Sequence, residues 1–197
     1  MIRVAGAFAL AWLLTACAAR APYTDRYYHL DSAMAEVAAM ADAPHVMLEP
    51  FDAHGLYAER QLIYRRPEGK GALEQFGYLF WSEQPTRMLT DGLEASLRAA
   101  FGDQRVHGRR SRQRAAYIVK PRLRRLEFHL QPEGAKAEFA ADFVVTDEAL
   151  EPLLVVRFAQ TRLLSAPTAE AFADMAGQLA AQANRELIEQ LAAEFNR

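Results

Sequence analysis

The sequence Ala116-Tyr-Ile-Val-Lys-Pro-Arg-Leu-Arg-Arg-Leu-Glu-Phe-His-Leu130 changes its apolar parity half-way, and this change decides the predicted fold. Its apolar residues stand first at odd and then at even positions: Tyr117, Val119 and Leu123, followed by Leu126, Phe128 and Leu130. Successive side chains of a strand point to opposite faces, so an unbroken strand cannot bury both sets on one face. We therefore predict one long strand over residues 116–130 with a β-bulge or sharp bend at Arg124 and Arg125.

Two more strands are predicted directly after this one. Pro132-Glu-Gly134 forms a turn, and alternating apolar residues then mark the next strand: Ala137, Phe139, Ala141, Phe143 and Val145. A second turn over residues 147–152 leads to a strand over residues 153–163. Because short turns join the three strands, we expect them to form an antiparallel meander.

A terminal helix is predicted beyond Pro167. Thr168 is suited to the N-cap position and Glu170 to the first turn. The apolar residues that follow repeat at helical spacing: Phe172, Met175, Leu179, Ala183, Leu187, Leu191 and Phe195. This spacing predicts a helix of about seven turns.

The chain before the meander is predicted to hold four strands and one helix. The strands are expected over residues 26–30, 45–51, 58–65 and 73–81, with a turn over residues 67–71 and a connector or short surface helix over residues 32–43. A helix that begins at Pro85 and is closed by Gly102 is indicated by apolar residues at helical spacing: Met88, Leu89, Leu93, Leu97 and Phe101. Trp81, just before this helix, is expected in the core.

The order of these elements predicts an α/β sandwich, in which two main helices pack on one face of a mostly antiparallel or mixed sheet. The chain has 197 residues, of which 51% are hydrophobic and 24% charged. This composition excludes a disordered chain and a multi-span membrane protein. The length suits a single domain over residues 25–197, and a net charge of −2 provides no basic excess for nucleic acid.

The first 16 residues have the order of an export signal, in which one cation, Arg3, precedes an uncharged apolar stretch over residues 4–14. That stretch is shorter than the ~20 residues of a membrane-spanning helix. Leu14-Thr-Ala-Cys17 resembles a bacterial lipobox, where an aliphatic residue and two small residues precede the lipidated cysteine. We predict a lipoprotein signal peptide over residues 1–16 and lipidation of Cys17. The alternatives are a buried cysteine and an ordinary signal peptide cut nearby.

Lipidation of Cys17 has consequences for stability and location. Cys17 is the only cysteine, so the mature domain forms no disulfide and depends on its apolar core. Residues 17–24 comprise the lipidated cysteine and a short tether, and residues 18–24 span at most ~25 Å. Ala18 stands where enteric lipoproteins retained in the inner membrane carry Asp. We therefore expect the periplasmic face of the outer membrane of a Gram-negative bacterium.

Sequence motifs of catalysis and cofactor binding are absent. The chain has no Gly-x-Ser-x-Gly, His-Glu-x-x-His, Walker A or dinucleotide fingerprint. Its five histidines are scattered, without a pair spaced to hold a metal on one helix face: His29, His45, His54, His107 and His129. Asp142, Asp147 and Glu148 offer a carboxylate pair, but turn chemistry explains Asp147 and Glu148 equally well. We expect no catalytic residue, no metal and no cofactor beyond the N-terminal lipid.

Positive charge is concentrated between residues 105 and 125, where nine cations stand without a carboxylate. This basic run consists of Arg105, Arg109, Arg110, Arg112, Arg114, Lys120, Arg122, Arg124 and Arg125. One interpretation is a solvated loop followed by the solvent face of a strand. The other is a docking surface for an acidic protein or for anionic lipid headgroups.

Several segments, taken in order, resemble one protein family. After the lipobox come Tyr27-Tyr-His-Leu30, Leu48-Glu-Pro-Phe51, Tyr57-Ala-Glu-Arg-Gln-Leu-Ile-Tyr-Arg65, Trp81 and the helix with Leu89, Leu93 and Leu97. This order resembles the ABC-type transport auxiliary lipoproteins, the PqiC/YmbA-like group, most clearly over residues 27–101. The aliphatic-Pro pair of the family's second strand is interrupted here by Glu49, and the basic run is not part of the resemblance.

The resemblance implies a non-enzymatic domain related to the TolB amino-terminal type. It implies an outer-membrane lipoprotein that works with an MCE-domain tunnel protein and its inner-membrane transporter, moving lipids or other hydrophobic molecules between the two membranes. A homo-oligomer is expected, and nucleic acid is not. The alternatives are an envelope scaffold or assembly lipoprotein unrelated to transport, and a periplasmic hydrolase with a hidden site.

One segment is a candidate partner-binding surface. Large side chains with polar ends are enriched at protein interfaces, and five lie close together here: Tyr57, Arg60, Gln61, Tyr64 and Arg65. The alternative is that Leu62 and Tyr64 pack in the core.

Overall fold

The computed structural model describes residues 23–32, 40, 42–109, 111 and 113–196. Within them the chain forms eight strands and two α-helices. The strands are β1 (Arg26–Tyr28), β2 (Val46–Leu48), β3 (Gln61–Arg65), β4 (Glu74–Trp81), β5 (Val106–Gly108), β6 (Tyr117–Gln131), β7 (Gly134–Thr146) and β8 (Pro152–Leu163), and the helices are α1 (Pro85–Phe101) and α2 (Ala169–Phe195). The predicted signal peptide, Cys17, tether residues 18–22 and most of the predicted connector over 32–43 lie outside the described residues.

The long strand β6 organises one mixed sheet. On one side β6 pairs antiparallel with β7, and β7 pairs antiparallel with β8, which confirms the predicted meander. On its other side, β2 pairs in parallel with the beginning of β6 and β3 in parallel with its end. Beyond β2 lies the parallel strand β5, and beyond β3 lie the antiparallel β4 and then the parallel β1.

The predicted bulge in β6 is confirmed. The register between β6 and β7 shifts between Leu123 and Arg125. Because of this extra residue, Leu123 and Leu126 pair with Ala141 and Phe139 and both are buried on the same face. The side chains of the second half of β6 that alternate with this apolar set therefore lie on the opposite face, which we call the outer face.

Both helices cover the apolar face of the sheet, as the fold prediction expected. The core between the layers includes Trp81 and Phe172, whose ring centroids lie 5.7 Å apart, and Trp81 is buried as predicted. The Thr168 side chain caps α2 by accepting a hydrogen bond from the Ala171 backbone N–H at 3.2 Å. None of the described helices combines the length and apolar character of a bilayer-spanning segment.

Two helical glycines let the chain after β1 cross the helices at close range. A Cβ added at Gly177 would lie 2.1 Å from the backbone oxygen of Asp31, and one at Gly92 would lie 1.6 Å from Ser32 Oγ. Both distances are far inside van der Waals contact. The residue after Leu30 can therefore pack against α2 only because position 177 has no side chain.

The structure differs from the predicted elements at several places. The first two strands are shorter than predicted, because β1 covers only Arg26–Tyr28 of residues 26–30 and β2 only Val46–Leu48 of residues 45–51. The strand predicted over residues 58–65 begins only at Gln61, because residues 55–58 form a 3₁₀ turn that starts at Gly55, with φ of +60°. The short strand β5 was not predicted, since its three residues have too little pattern to stand out from the basic run.

Candidate functional site

A buried carboxylate lies on the outer face of the sheet. Glu127 alternates with Leu126 and Phe128, which face the helices, yet its side chain is 0% exposed. The 3₁₀ turn over residues 55–58 brings Tyr57 over it, and the Tyr57 hydroxyl donates a hydrogen bond to Glu127 Oε1. Arg65, on β3, donates from Nε to Oε2 and from a terminal nitrogen to Oε1, the latter at 3.1 Å.

The same carboxylate contacts the neighbouring strand through a histidine. His129 Nε2 lies 3.1 Å from Glu127 Oε2 and 3.0 Å from Oε2 of Glu138 on β7. Arg125 Nε lies 2.6 Å from the other oxygen of Glu138. We call this set the Glu127 cluster, and it consists of Tyr57, Arg65, Arg125, Glu127, His129 and Glu138.

The electrostatics of the cluster keep Glu127 ionised and Tyr57 neutral. Burial opposes ionisation of Glu127, but hydrogen bonds from His129, Arg65 and Tyr57 and the charge of Arg65 outweigh it and lower its pKa to about 2. Burial and the hydrogen bond to Glu127 raise the pKa of Tyr57 to about 12. The hydrogen bond to Glu127 also raises the pKa of Arg65. Near neutral pH, Glu127 and Arg65 therefore form an ion pair to which Tyr57 contributes a neutral hydroxyl.

Three members of the cluster have the donor atoms of a metal site. Glu127, His129 and Glu138 offer one atom each, all within 4.8 Å of one another. A carboxylate–imidazole set of this kind suits a divalent transition metal. However, each carboxylate already pairs with a guanidinium, Arg65 or Arg125, so the charges balance without an ion. The cluster is therefore better suited to stabilising the packing of β3, β6 and β7 than to binding a cation.

The five residues of the candidate partner-binding surface are placed differently from one another. Tyr57 and Arg65 point into the Glu127 cluster, and Tyr64 is buried, with its hydroxyl 2.6 Å from Glu74 Oε2. That hydrogen bond, together with burial, raises the pKa of Tyr64. Arg60 is exposed, and its guanidinium donates to the carbonyl oxygens of Trp81 and Ser82. Gln61 is half-buried, so Arg60 and Gln61 are the two positions best placed for contact with a partner.

The basic run is divided by the fold. Arg110 and Arg112 lie outside the described residues. Arg105, just before β5, is half-buried, and Arg109 and Arg114 are exposed in the loop between β5 and β6. On β6 three arginines pair with carboxylates from other segments: Arg122 with Asp52 at 3.1 Å, Arg124 with Asp142 at 3.6 Å and Arg125 with Glu138 at 2.6 Å. Lys120 is half-buried beside Arg122 in a cleft of about 620 Å³ that also contains Glu49, Asp52 and Asp142. The β6 part of the run is therefore a surface of mixed charge, and Arg109 of the loop lines the same cleft.

The histidines and the candidate carboxylates take several local partners. His45 Nδ1 lies 2.8 Å from His107 Nε2, and burial, with the nearby His45 and Arg98, lowers the pKa of His107. His29 Nδ1 lies 3.1 Å from Ser82 Oγ, and within the described chain no carboxylate is bonded to this imidazole. Asp147 accepts the backbone N–H of Glu151 at 2.8 Å, which is turn chemistry, and Glu148 is exposed in the same turn.

An exposed group of aromatic rings lies at the β1–β4 edge of the sheet, and the sequence patterns did not single it out. Tyr23 stacks on Tyr78, with centroids 4.2 Å apart and planes at 7°, and Tyr27 stacks on Phe80 at 5.6 Å. We call these four residues the aromatic strip. Arg60 lies over the Tyr27 ring, 5.6 Å from its centroid.

Comparison with known families identifies what such a domain is. A family model described as ABC-type transport auxiliary lipoprotein component matches residues 28–188. The chain belongs to this family. The match confirms the resemblance seen in the sequence and extends it through β6 to α2. No curated protein matches the chain significantly.

Solved structures share the fold. A crystal structure of a DUF330 protein from Xanthomonas campestris is 16% identical, with a TM-score of 0.74, over 86% of this chain and 95% of that one. The crystal structure of an uncharacterized protein is 11% identical, with a TM-score of 0.64, over 85% of this chain and 98% of that one. At these identities the similarity shows the fold alone, and it confirms the predicted α/β sandwich.

Proposed function

We propose that this auxiliary lipoprotein is anchored by acyl chains on Cys17 to the periplasmic face of the outer membrane. There it serves an MCE-domain tunnel protein and its inner-membrane transporter in moving lipids or other hydrophobic molecules. The proposal is supported by the family match over residues 28–188 in a chain whose Leu14-Thr-Ala-Cys17 resembles a lipobox.

The physical basis of this role is attachment. An apolar molecule crossing the periplasm needs a conduit that excludes water, because exposing its surface to water is unfavourable. A folded domain tethered at one membrane raises the local concentration of its binding surface near the end of such a conduit. The tether of residues 18–24 spans at most ~25 Å, so the domain stays close to its membrane.

We propose that the domain works by contact and not by catalysis. The buried polar groups of the Glu127 cluster bond to one another, and Tyr57 and Arg65 are oriented inward by it. These contacts hold β3 and the preceding 3₁₀ turn in fixed positions on β6. The cluster thereby supports a rigid surface on which Arg60 and Gln61 are available to a partner, as expected of an interface built on an ordered framework.

Self-association is part of the proposal. The twelve-residue strand β8 pairs only with β7 among the described strands, so one of its edges offers unpaired backbone groups. Leu153, Val155 and Leu163 are exposed on it, at 41%, 44% and 71%. We expect Val155→Lys to reduce the oligomer mass measured by light scattering. An unchanged mass would place the contact between copies elsewhere.

In-cell photo-crosslinking tests the proposed partner. A photoreactive residue at Gln61 is expected to capture the MCE-domain protein, whereas the same residue at Glu189, exposed on α2, serves as the matched control. Charge reversal by Arg60→Glu is expected to reduce this capture, and Arg185→Glu on α2 is not. Recovery of only peptidoglycan-binding or outer-membrane assembly proteins would refute the transport role and favour an envelope scaffold.

A further inference from the structure

The aromatic strip exposes large rings on a small area of the surface. Tyr23, Tyr27 and Tyr78 are 62%, 57% and 42% exposed. In β1, alternation places Tyr27 on the face opposite Tyr28, whose hydroxyl reaches Glu170 of α2 at 3.4 Å. The strip therefore lies on the outer face, away from the helices, where the domain core cannot cover it.

The chemistry of the strip fits the boundary between a bilayer and water. Tyrosine combines an apolar ring with a polar hydroxyl and is enriched at the headgroup level of membranes. A cation also lies at the strip, because the Arg60 guanidinium is 5.6 Å from the centroid of the Tyr27 ring. Guanidinium groups suit the phosphates of lipid headgroups.

The length of chain before the strip argues for the same occupant. Tyr23 follows Cys17 by six residues, so the two Cα atoms lie at most ~21 Å apart. Acyl chains on Cys17 would place that cysteine at the bilayer surface, and the headgroup layer is itself about 6 Å thick on each side. The strip is therefore within reach of the headgroups of the bilayer that would hold these acyl chains.

We propose that the aromatic strip contacts the headgroup region of the bilayer that holds the Cys17 acyl chains, and thereby orients the domain on the membrane. This inference rests on the lipid anchor of the proposed function and extends it from attachment to orientation. Stacking of Tyr23 on Tyr78 and of Tyr27 on Phe80 presents the rings together, so that one surface meets the lipid.

A single environment-sensitive label tests the contact. Lipidation consumes the thiol of Cys17, the only cysteine of the chain, so Tyr78→Cys provides one reactive thiol for the dye NBD in the mature protein. The matched control is Glu148→Cys in the exposed β7–β8 turn. This control position is far from the strip. Thr146, next to the β7–β8 turn, pairs with Ile118 of β6, whereas β3, the neighbour of β4, pairs with Phe128 of β6. Ile118 and Phe128 are about 33 Å apart along β6 at ~3.3 Å per residue.

The measurement uses the lipidated protein in vesicles of phosphatidylethanolamine and phosphatidylglycerol, with flotation to report anchoring. We expect the emission of the Tyr78→Cys label to rise severalfold, to shift to shorter wavelength and to be quenched by lipids with a nitroxide near the headgroup. The Glu148→Cys label should stay in water. Tyr23→Cys, outside any strand, is a second labelling position that leaves the sheet unchanged.

Two contrary results are distinguishable. If the protein floats with the vesicles but the labels at Tyr78 and Tyr23 remain in water, the bilayer contact is refuted and the anchor stands. If the emission of those labels rises only when the tunnel protein is added, the bilayer contact is likewise refuted, and the strip is a binding surface for that protein. If the protein does not float at all, the anchor itself fails, and the orientation inferred from it fails with it.

Discussion

Glu127 lies between Leu126 and Phe128, so strand alternation turns its carboxylate away from the helices. An ionised carboxylate buried without partners would cost several kcal/mol. Its hydrogen bonds from Tyr57, Arg65 and His129 offset that cost and connect a turn and two strands. Removing any one of these partners is therefore expected to weaken the packing of the turn and of both strands.

The first prediction concerns the charge of Glu127. Glu127→Gln keeps the shape of the side chain but leaves the Arg65 guanidinium without its carboxylate. We expect the free energy of unfolding in urea to fall by about 2–4 kcal/mol. Glu133→Gln, in the exposed β6–β7 turn, is the matched control and should change it by less than about 0.5 kcal/mol. Equal effects of the two substitutions would contradict the role of the cluster.

The same carboxylate predicts an acid dependence. The pKa of Glu127 falls from 4.5 to about 2 on folding, so between these values the unfolded chain binds more protons than the folded one. Its contribution to stability is present in full above pH 4.5 and is lost as the pH falls towards 2. Urea unfolding at a series of pH values should show this loss in the natural sequence and a shallower dependence in Glu127→Gln.

The third prediction concerns the imidazole pair of His45 and His107. Burial and the neighbouring His45 and Arg98 lower the pKa of His107 below its ordinary value of 6.5. The unfolded chain therefore takes up the proton first, and stability declines as the pH falls below 6.5. His107→Gln should flatten this part of the stability profile measured by thermal unfolding. An unaltered profile would show that another group is responsible.

At the scale of elements, the packing of α2 depends on the bare backbone at Gly177. Alanine in a helix interior is favoured over glycine by about 1 kcal/mol, but here its Cβ would meet the Asp31 backbone oxygen at 2.1 Å. Because backbone cannot move aside as a flexible side chain can, the clash should exceed the helix gain. Gly177→Ala is expected to lower the free energy of unfolding by about 1–3 kcal/mol.

Its control is Gly108→Ala, where an added Cβ meets nothing within 4 Å. That variant should unfold within about 0.5 kcal/mol of the natural sequence. A Gly177→Ala protein as stable as the control would mean that the segment after β1 does not press against α2.

What could be predicted from sequence is local in origin. The bulge in β6 was predictable because an extra residue is needed when the apolar positions change parity within one strand. The N-cap at Thr168 was predictable because threonine side chains accept a free backbone N–H at the start of a helix. The parallel pairing of β2 and β3 with opposite ends of β6 was not, since partner choice between distant strands leaves no periodic trace. Glu127 follows the pattern of a solvent-facing residue, and that pattern does not show the Tyr57, Arg65 and His129 side chains that bond to it in the fold.

At the scale of the whole molecule, the two faces of the sheet differ in what they contact and expose. The helices and the apolar face form the core, while the outer face has the Glu127 cluster at its centre, the aromatic strip at the β1–β4 edge and exposed aliphatic residues on β8. We place the membrane at the β1–β4 edge because the chain enters there at Tyr23. The proposed contact between copies would then use the other edge of the sheet.

The proposed role and the proposed orientation both depend on the acyl chains of Cys17. The most direct measurement is the mass of the N-terminal peptide of the protein purified from its native membranes. A peptide that begins at Cys17 and has the added mass of acyl chains is the expected result. A peptide that begins elsewhere, or an unmodified Cys17 in protein that still fractionates with membranes, would contradict both proposals.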